Sequence, residues 1–446
     1  MERTLMGDML IWKDAPNRMP LLLEGARQVG KTWLMKEFGQ KHFGNIAYVN
    51  LENNPVMEQV LKNYSDVYQV IKAIAALTHE SISPNETLII LDEIQEIPFA
   101  LSSLKYFCEN AQEYAVMAAG SLLGVKFPKM PAPYPVGKVQ TLKLYPLSFN
   151  EYLLAVGESQ LVEALRSSDF ALIKVLAPRF TRLLSDYYYI GGMPKAVSTF
   201  LEESDYRKVR SVQLQMISDF ENDMSKHLNN AQASHAHSLW QAVATQLGRE
   251  QGKRFVFSEL SGSGRARDYK DALQWLIDAK LVTRVPRVSK PGIPLKAFAN
   301  DGLFELFLLD VGLYSAMVEL DIDSVLATNP LFLEGKGALS EQFVCQQLLS
   351  ELNATPYYWA SNKTPAQLDF LVSHEGTIYP IEVKAAENLR SKSLRSFSER
   401  YALHGYRFSL AAYESQDWMT NIPLYAASTL FSHNPRRVPS DSESTS

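Results

Sequence analysis

Residues Leu21–Thr32 read LLLEGARQVGKT, and the fold turns on how they are read. Leu21-Leu22-Leu23 is a short apolar run suited to a buried strand. Gly25 to Thr32 fits G-x-x-x-x-G-K-[ST], and Trp33 to Phe38 reads as a helix. Strand, glycine loop and helix, in that order, form the context of a phosphate-binding loop. Backbone N–H groups across Gly25, Arg27, Gln28, Val29 and Gly30 are expected to turn onto phosphate oxygens, helped by the positive end of the helix dipole. Lys31 is expected at the β- and γ-phosphates, and the Thr32 hydroxyl at Mg²⁺.

The neighbouring segments extend this into a sheet. Ile46 to Leu51 is a second apolar strand. Thr87 to Glu93 (TLIILDE) runs from apolar residues into two carboxylates, the Walker B pattern. A continuous apolar run suits a strand buried on both faces of a parallel sheet. Ligands sit at the C-terminal ends of such strands. Asp92 is therefore a candidate Mg²⁺ residue, and Glu93 a candidate general base for an attacking water. Ala115 to Ser121 is another buried strand, with Ser121 placed to sense the γ-phosphate. A Pro-rich loop, Phe127 to Pro135, leads to a fifth strand, Val139 to Leu144. Five strands alternating with helices predict an α/β domain built on a parallel sheet.

The composition agrees with a globular chain. It has 446 residues, 46% hydrophobic and 21% charged, with a net charge of −5. That size predicts two to four domains, and that charge argues against a protein that coats nucleic acid along its whole surface. The two cysteines, Cys108 and Cys345, exclude a disulfide framework and a cysteine-built zinc site. No stretch of about 20 apolar residues occurs, so a cytosolic protein away from the membrane is expected. The tail from Asn434 is polar and Ser/Pro-rich, and is expected to be disordered.

The pieces GARQVGKT, LDEIQ, AAGSLL, LYPLSFNEY (144–152) and YYIGGMPKAV (188–197) resemble the AAA-type ATPases of the AAA_14 family, which usually carry a C-terminal domain called DUF4143. The resemblance runs over roughly residues 5 to 430. It implies ATP as the nucleotide and nucleotide-dependent oligomerisation as a possibility. Gly191-Gly192-Met193-Pro194 is similar to the Gly-x-Pro element of signal-transducing ATPases, which implies that Pro194 packs near the adenine. Gly137-Lys138 stands where the family carries Gly-Arg. If that arginine acts as a finger or phosphate sensor, an ammonium cannot make its bidentate contact.

Beyond this domain, residues 153–238 read as a helical lid and 239–309 as a winged helix-turn-helix. The winged helix is drawn from helix Leu239 to Leu247, a turn at Ser261–Gly264, a helix from Arg265 to Ala279, and a hairpin of Leu281–Arg287 with Leu295–Ala299. Residues 249–296 hold 11 Lys/Arg against 5 Asp/Glu. Arg265, Arg267 and Lys270 fall at the helix start, where such modules touch DNA. In residues 310–432, Gln367–Val372 and Ile378–Lys384 are expected to pair as a hairpin. Asp369 with Glu382-x-Lys384 resembles the PD-(D/E)XK nuclease core. The carboxylates would hold Mg²⁺, with Glu341 completing the shell and Lys384 activating water. Gln367 stands where relatives often have a further acid.

The sequence therefore predicts an ATPase domain (1–152), lid, winged helix, nuclease-like domain and tail (433–446). Its expected partners are DNA or RNA, through the winged helix and C-terminal domain, or another protein. Two functions fit. One is an ATP-gated enzyme cutting nucleic acid through Asp369, Glu382 and Lys384. The other is a nucleotide-dependent switch whose C-terminal domain docks a protein or DNA without catalysis.

Overall fold

The computed structural model describes residues 1–63, 65–126, 134–248, 254–260, 265–326, 332–361, 364–385 and 390–433. The turn at Ser261–Gly264, most of the Pro-rich loop and the tail lie outside the described residues. The chain forms two compact units. Unit one comprises Met1–Leu147, Met193–Lys195 and Lys270–Val282, and unit two the remainder.

Unit one holds a parallel sheet of β1 (Leu21–Glu24), β2 (Asn45–Asn50), β3 (Thr87–Asp92), β4 (Ala115–Gly120) and β5 (Gln140–Lys143), in the order β2-β3-β4-β1-β5. The burial of the strands follows their place in this order. Every residue of β3 and β4 is buried, as central strands need, whereas β5 alternates half-buried and exposed residues at the edge. Helix Val67–Thr78 and helix Ala100–Asn110 cover the sheet with Val70, Ile74, Leu104 and Phe107, all buried. Because the strands are parallel, Glu24, Asp92 and Gly120 finish at one edge. That edge carries the phosphate loop.

Unit two contains an eight-stranded mixed sheet. Its strands are β6 (Val282–Val288), β7 (Ala299–Leu308), β8 (Tyr357–Ala360), β9 (Gln367–His374), β10 (Thr377–Val383), β11 (Gly405–Ser409), β12 (Glu414–Ser415) and β13 (Met419–Pro423), in the order β12-β13-β11-β10-β9-β8-β6-β7. The expected hairpin is β9–β10, antiparallel, with Phe370 opposite Ile381. The expected winged-helix hairpin is corrected in its second arm. Leu295–Phe298 is a 3₁₀ turn, and the strand follows it as β7. β6 pairs in parallel with β8, so these strands belong to the same sheet as β9 and β10. The helix expected from Arg265 to Ala279 is a 3₁₀ turn, Ala266–Tyr269, followed by helix Lys270–Asp278.

The LSFNEY motif is a helix start. Ser148 and Glu151 form a capping box, satisfying two otherwise orphaned N–H groups. The Phe149 N–H donates to Gln347 Oε1 at 2.8 Å and Asn150 Nδ2 to Glu351 Oε1 at 2.8 Å, which ties this start to helix Phe332–Ser350.

Candidate functional site

The loop after β1 closes over itself tightly. A Cβ on Gly25 would lie 2.4 Å from the Leu144 carbonyl oxygen, so only glycine fits. Gly30, at φ +94°, caps helix Lys31–His42 in the left-handed region that glycine reaches without strain. Gln28 also has a positive φ, +66°. Val29 is fully buried, and Arg27 lies close enough to act electrostatically on Lys31.

Lys31 is buried and donates to the Gly25 carbonyl at 3.0 Å and the Ala26 carbonyl at 2.7 Å. Burial pushes its pKa down to about 8, against the opposing pull of Glu93 and Asp92. Thr32 Oγ1 donates to Asp92 Oδ2 at 2.5 Å, and the Glu93 N–H donates to Asp92 Oδ1 at 3.1 Å. A hydroxyl and a carboxylate side by side are the oxygen donors a hard cation such as Mg²⁺ takes, so these residues fit that ion.

Glu93 adopts a left-handed backbone conformation, φ +51°, at the head of the turn Ile94–Glu96. Its Oε2 accepts from Gln95 Nε2 at 2.5 Å and from Ser121 Oγ at 3.4 Å. The structure thus brings Lys31, Thr32, Asp92, Glu93 and Ser121 into one connected cluster at the edge where β1, β3 and β4 end.

Three further residues join it. The Tyr48 hydroxyl, at the end of β2, donates to Asp92 Oδ2 at 3.2 Å, and its pKa is raised to about 12, by burial and then by Asp92. Lys36 sits 3.5 Å over the same ring. Arg3 donates to the Val29 carbonyl at 3.1 Å and the Tyr145 carbonyl at 2.5 Å. A Cβ on Gly30 would lie 3.5 Å from Pro194 Cγ and 3.9 Å from Arg3 Nη1, so Pro194 and Arg3 flank the loop. Nothing in the sequence near position 48 or position 3 marks those residues; their partners are 44 and 26 positions away.

Lys138, where the family carries arginine, does not border the phosphate loop of its own chain. It precedes the first residue of β5, at the end of the sheet opposite the phosphate loop, and pairs with Glu109 at 3.0 Å.

In unit two, Asp369 and Glu382 are buried on adjacent strands. Asp369 Oδ2 accepts from the Val383 N–H at 2.6 Å, and Lys384 Nζ lies 3.1 Å from Glu382 Oε1. Glu382 also pairs in register with Arg407 of β11, a buried guanidinium that donates to Asn421 Oδ1 at 2.8 Å. Glu382 therefore lies beside two cations of the same chain, Lys384 and Arg407. Among the described residues no three His, Cys, Asp or Glu side chains gather as a metal shell. The expected shell of Glu341, Asp369 and Glu382 is corrected accordingly. Glu341 instead lines a cavity with Val243, Gln246, Phe255 and Glu305. Gln367 donates to Glu305 Oε1 at 2.9 Å, an acid from β7 that the sequence did not reveal. The donors present fit a divalent ion poorly, although Glu382 Oε2 is buried without a partner. Arg265, Arg267 and Lys270 are each exposed.

Residues 17–153 match the family model described as AAA domain, and the unit they form is a P-loop ATPase-like domain. Residues 181–324 and 336–426 match two domains of unknown function, DUF8612 and DUF4143. No curated protein matches the chain. Among solved structures, the chain is similar to a Walker-type ATPase of Pyrococcus abyssi, at 13% identity and a TM-score of 0.43, over 71% of this chain and 95% of that one. It is also similar to the ORC2 protein of Aeropyrum pernix in its ADPNP–ADP complexes, at 16% identity and a TM-score of 0.38, over 73% and 94%. No helix among the described residues is long and apolar enough to cross a membrane.

Proposed function

We propose that the chain binds and hydrolyses ATP in unit one, and that the state of the nucleotide sets how a binding module in unit two is presented to a nucleic-acid or protein partner. The observation that carries this is the connected cluster of Lys31, Thr32, Asp92 and Glu93 behind a loop that only glycine can close at Gly25. In this reading Lys31 leaves the loop carbonyls for the β- and γ-phosphate oxygens. Arg3 and Pro194 border the nucleotide beside Gly30. Glu93 accepts the proton of the water that attacks the γ-phosphorus, as the bond to the β–γ bridging oxygen breaks and ADP departs. Thr32 and Asp92 would hold Mg²⁺, which when bound neutralises phosphate charge.

Lys384 and Arg407 beside Glu382 offset its charge, and this supports docking over cutting. A second reading, a metal-dependent nuclease at Asp369, Glu382 and Lys384, is favoured by the partnerless Glu382 Oε2 beside a lysine. The test has two arms. ATP hydrolysis should appear in the wild type and vanish in Lys31→Ala; an inactive wild type refutes the ATPase reading. Mn²⁺ is then titrated calorimetrically into Lys31→Ala with and without Asp369→Ala/Glu382→Ala. Equal heats support docking. Binding lost only with the two carboxylates, together with cleavage of DNA or RNA, overturns it in favour of the nuclease.

A further inference from the structure

The LDEIQ motif contains one polar residue that the proposed chemistry does not use, Gln95. It is 3% exposed, and it sits two residues after Glu93 in a turn pinned by Ile94 and Ile97, both buried. Its Nε2 donates to Glu93 Oε2 at 2.5 Å, with Glu96 Oε1 at 3.4 Å as a second acceptor. The orientation of the amide follows from charge. Turning the other way would aim its oxygen at two carboxylates. Its Oε1 is left buried and unpartnered, packed where β4 ends. A Cβ on Gly120 would stand 2.5 Å from that oxygen, so the glycine makes the room the amide occupies. Burying an amide oxygen without a partner is costly, and a leucine or methionine would avoid it. Holding Glu93 in the left-handed region adds backbone strain. Both costs are spent at one point, the Glu93 carboxylate.

We propose that Gln95 is the positioning residue for the hydrolytic step. It holds one oxygen of the Glu93 carboxylate, with Ser121 as a weaker second donor, and leaves Oε1 to take the proton of the attacking water. The proposal rests on Glu93 acting as the general base. Gln95 acts through the Glu93 carboxylate that it holds, so its loss is expected to act on turnover and to spare nucleotide affinity.

Gln95→Leu and Gln95→Glu separate this from a merely structural role. Gln95→Leu keeps the volume and loses the donor. Its kcat is expected to fall about tenfold to a hundredfold, part of what a positioned base supplies, while the Kd of a fluorescent ATP analogue stays within about twofold. Gln95→Glu puts a second carboxyl against Glu93. It donates only when protonated, so its activity should be low at neutral pH and recover toward acid, moving the optimum below that of the wild type. A carboxyl that only repelled Glu93 would raise the Glu93 pKa and cost activity at the acid end, the opposite shift. Retained analogue binding certifies that each variant is folded at the site. Wild-type kcat in Gln95→Leu, or an unmoved optimum in Gln95→Glu, overturns the proposal while the ATPase reading stands. A wild type that does not hydrolyse ATP overturns both.

Discussion

Lys31 holds a positive charge where water scarcely reaches, with two loop carbonyls as its partners. Its pKa is lowered from the ordinary lysine value to about 8, burial being the main cause. The sign follows directly. Between about pH 8 and the ordinary lysine range the unfolded chain binds a proton that the folded one releases, so this group's contribution to stability rises with pH across that window. Phosphate oxygens favour the charged form, so nucleotide binding should draw the proton back. Affinity for ATP is expected to hold steady to about pH 8 and then weaken, toward about tenfold per pH unit. Calorimetry near pH 8.5, in buffers of different ionisation enthalpy, should show proton uptake on binding; heats independent of the buffer would contradict the assignment. At this scale, what the sequence disclosed depended on distance along the chain. Gly25 to Thr32 and Asp92-Glu93 were legible because the loop and the strand end are local structures. Tyr48 and Arg3 were not, because each reaches its partner only after the strands assemble.

Among the elements, the junction at Gly191-Gly192 shows most clearly how a motif becomes geometry. Helix Ala177–Ile190 ends there, and helix Val311–Met317 begins against it. A Cβ on Gly191, at φ +73°, would lie 2.1 Å from Asp310 Oδ1, and one on Gly312 would lie 2.4 Å from the Ile190 carbonyl oxygen. The buried Asp310 accepts from the N–H groups of Gly192 at 2.7 Å, Gly312 at 2.9 Å and Leu313 at 3.1 Å, and from Gln346 Nε2 at 3.0 Å. Asp310→Ala would strand three buried N–H groups. Each costs about 1–3 kcal/mol, so a loss of roughly 3–5 kcal/mol is expected after partial relaxation. Urea unfolding would measure it, and a loss under about 1 kcal/mol would mean that water replaces the carboxylate. Gly191-Gly192-Met193-Pro194 is visible in the sequence as a motif, but nothing in it names Asp310, which lies 118 positions beyond Gly192. β7 was obscured for a different reason. Its first half is exposed and reads Ala-Asn-Asp-Gly, a turn composition, so strand character was assigned to the apolar Leu295–Ala299 just before it.

At the scale of the whole molecule, the chain passes between the two units five times, after Leu147, Gly192, Lys195, Tyr269 and Val282. The sequence suggests consecutive domains because motifs and composition change along it, and neither records which distant segment completes a core. Helix Lys270–Asp278 belongs with unit one, where a Cβ on Gly124 would lie 3.1 Å from Asp278 Cβ. It buries Leu273, Trp275 and Leu276. At about 1.5–3 kcal/mol for each large side chain, that burial is worth at most roughly 5–9 kcal/mol. A whole domain is stable by about 5–15 kcal/mol, so unit one has little to spare without it. The fragment 1–152, which holds every phosphate-loop and Walker B residue, is therefore expected to lack a cooperative thermal transition and to bind no ATP analogue. The full chain should melt cooperatively and be raised by Mg-nucleotide, by about 2.7 kcal/mol at a hundredfold excess over Kd. Circular dichroism and analogue fluorescence on both proteins would decide it. A fragment that folds and binds would show that the segments near residues 194 and 275 are dispensable to the nucleotide site, and that unit one stands on its first 147 residues alone.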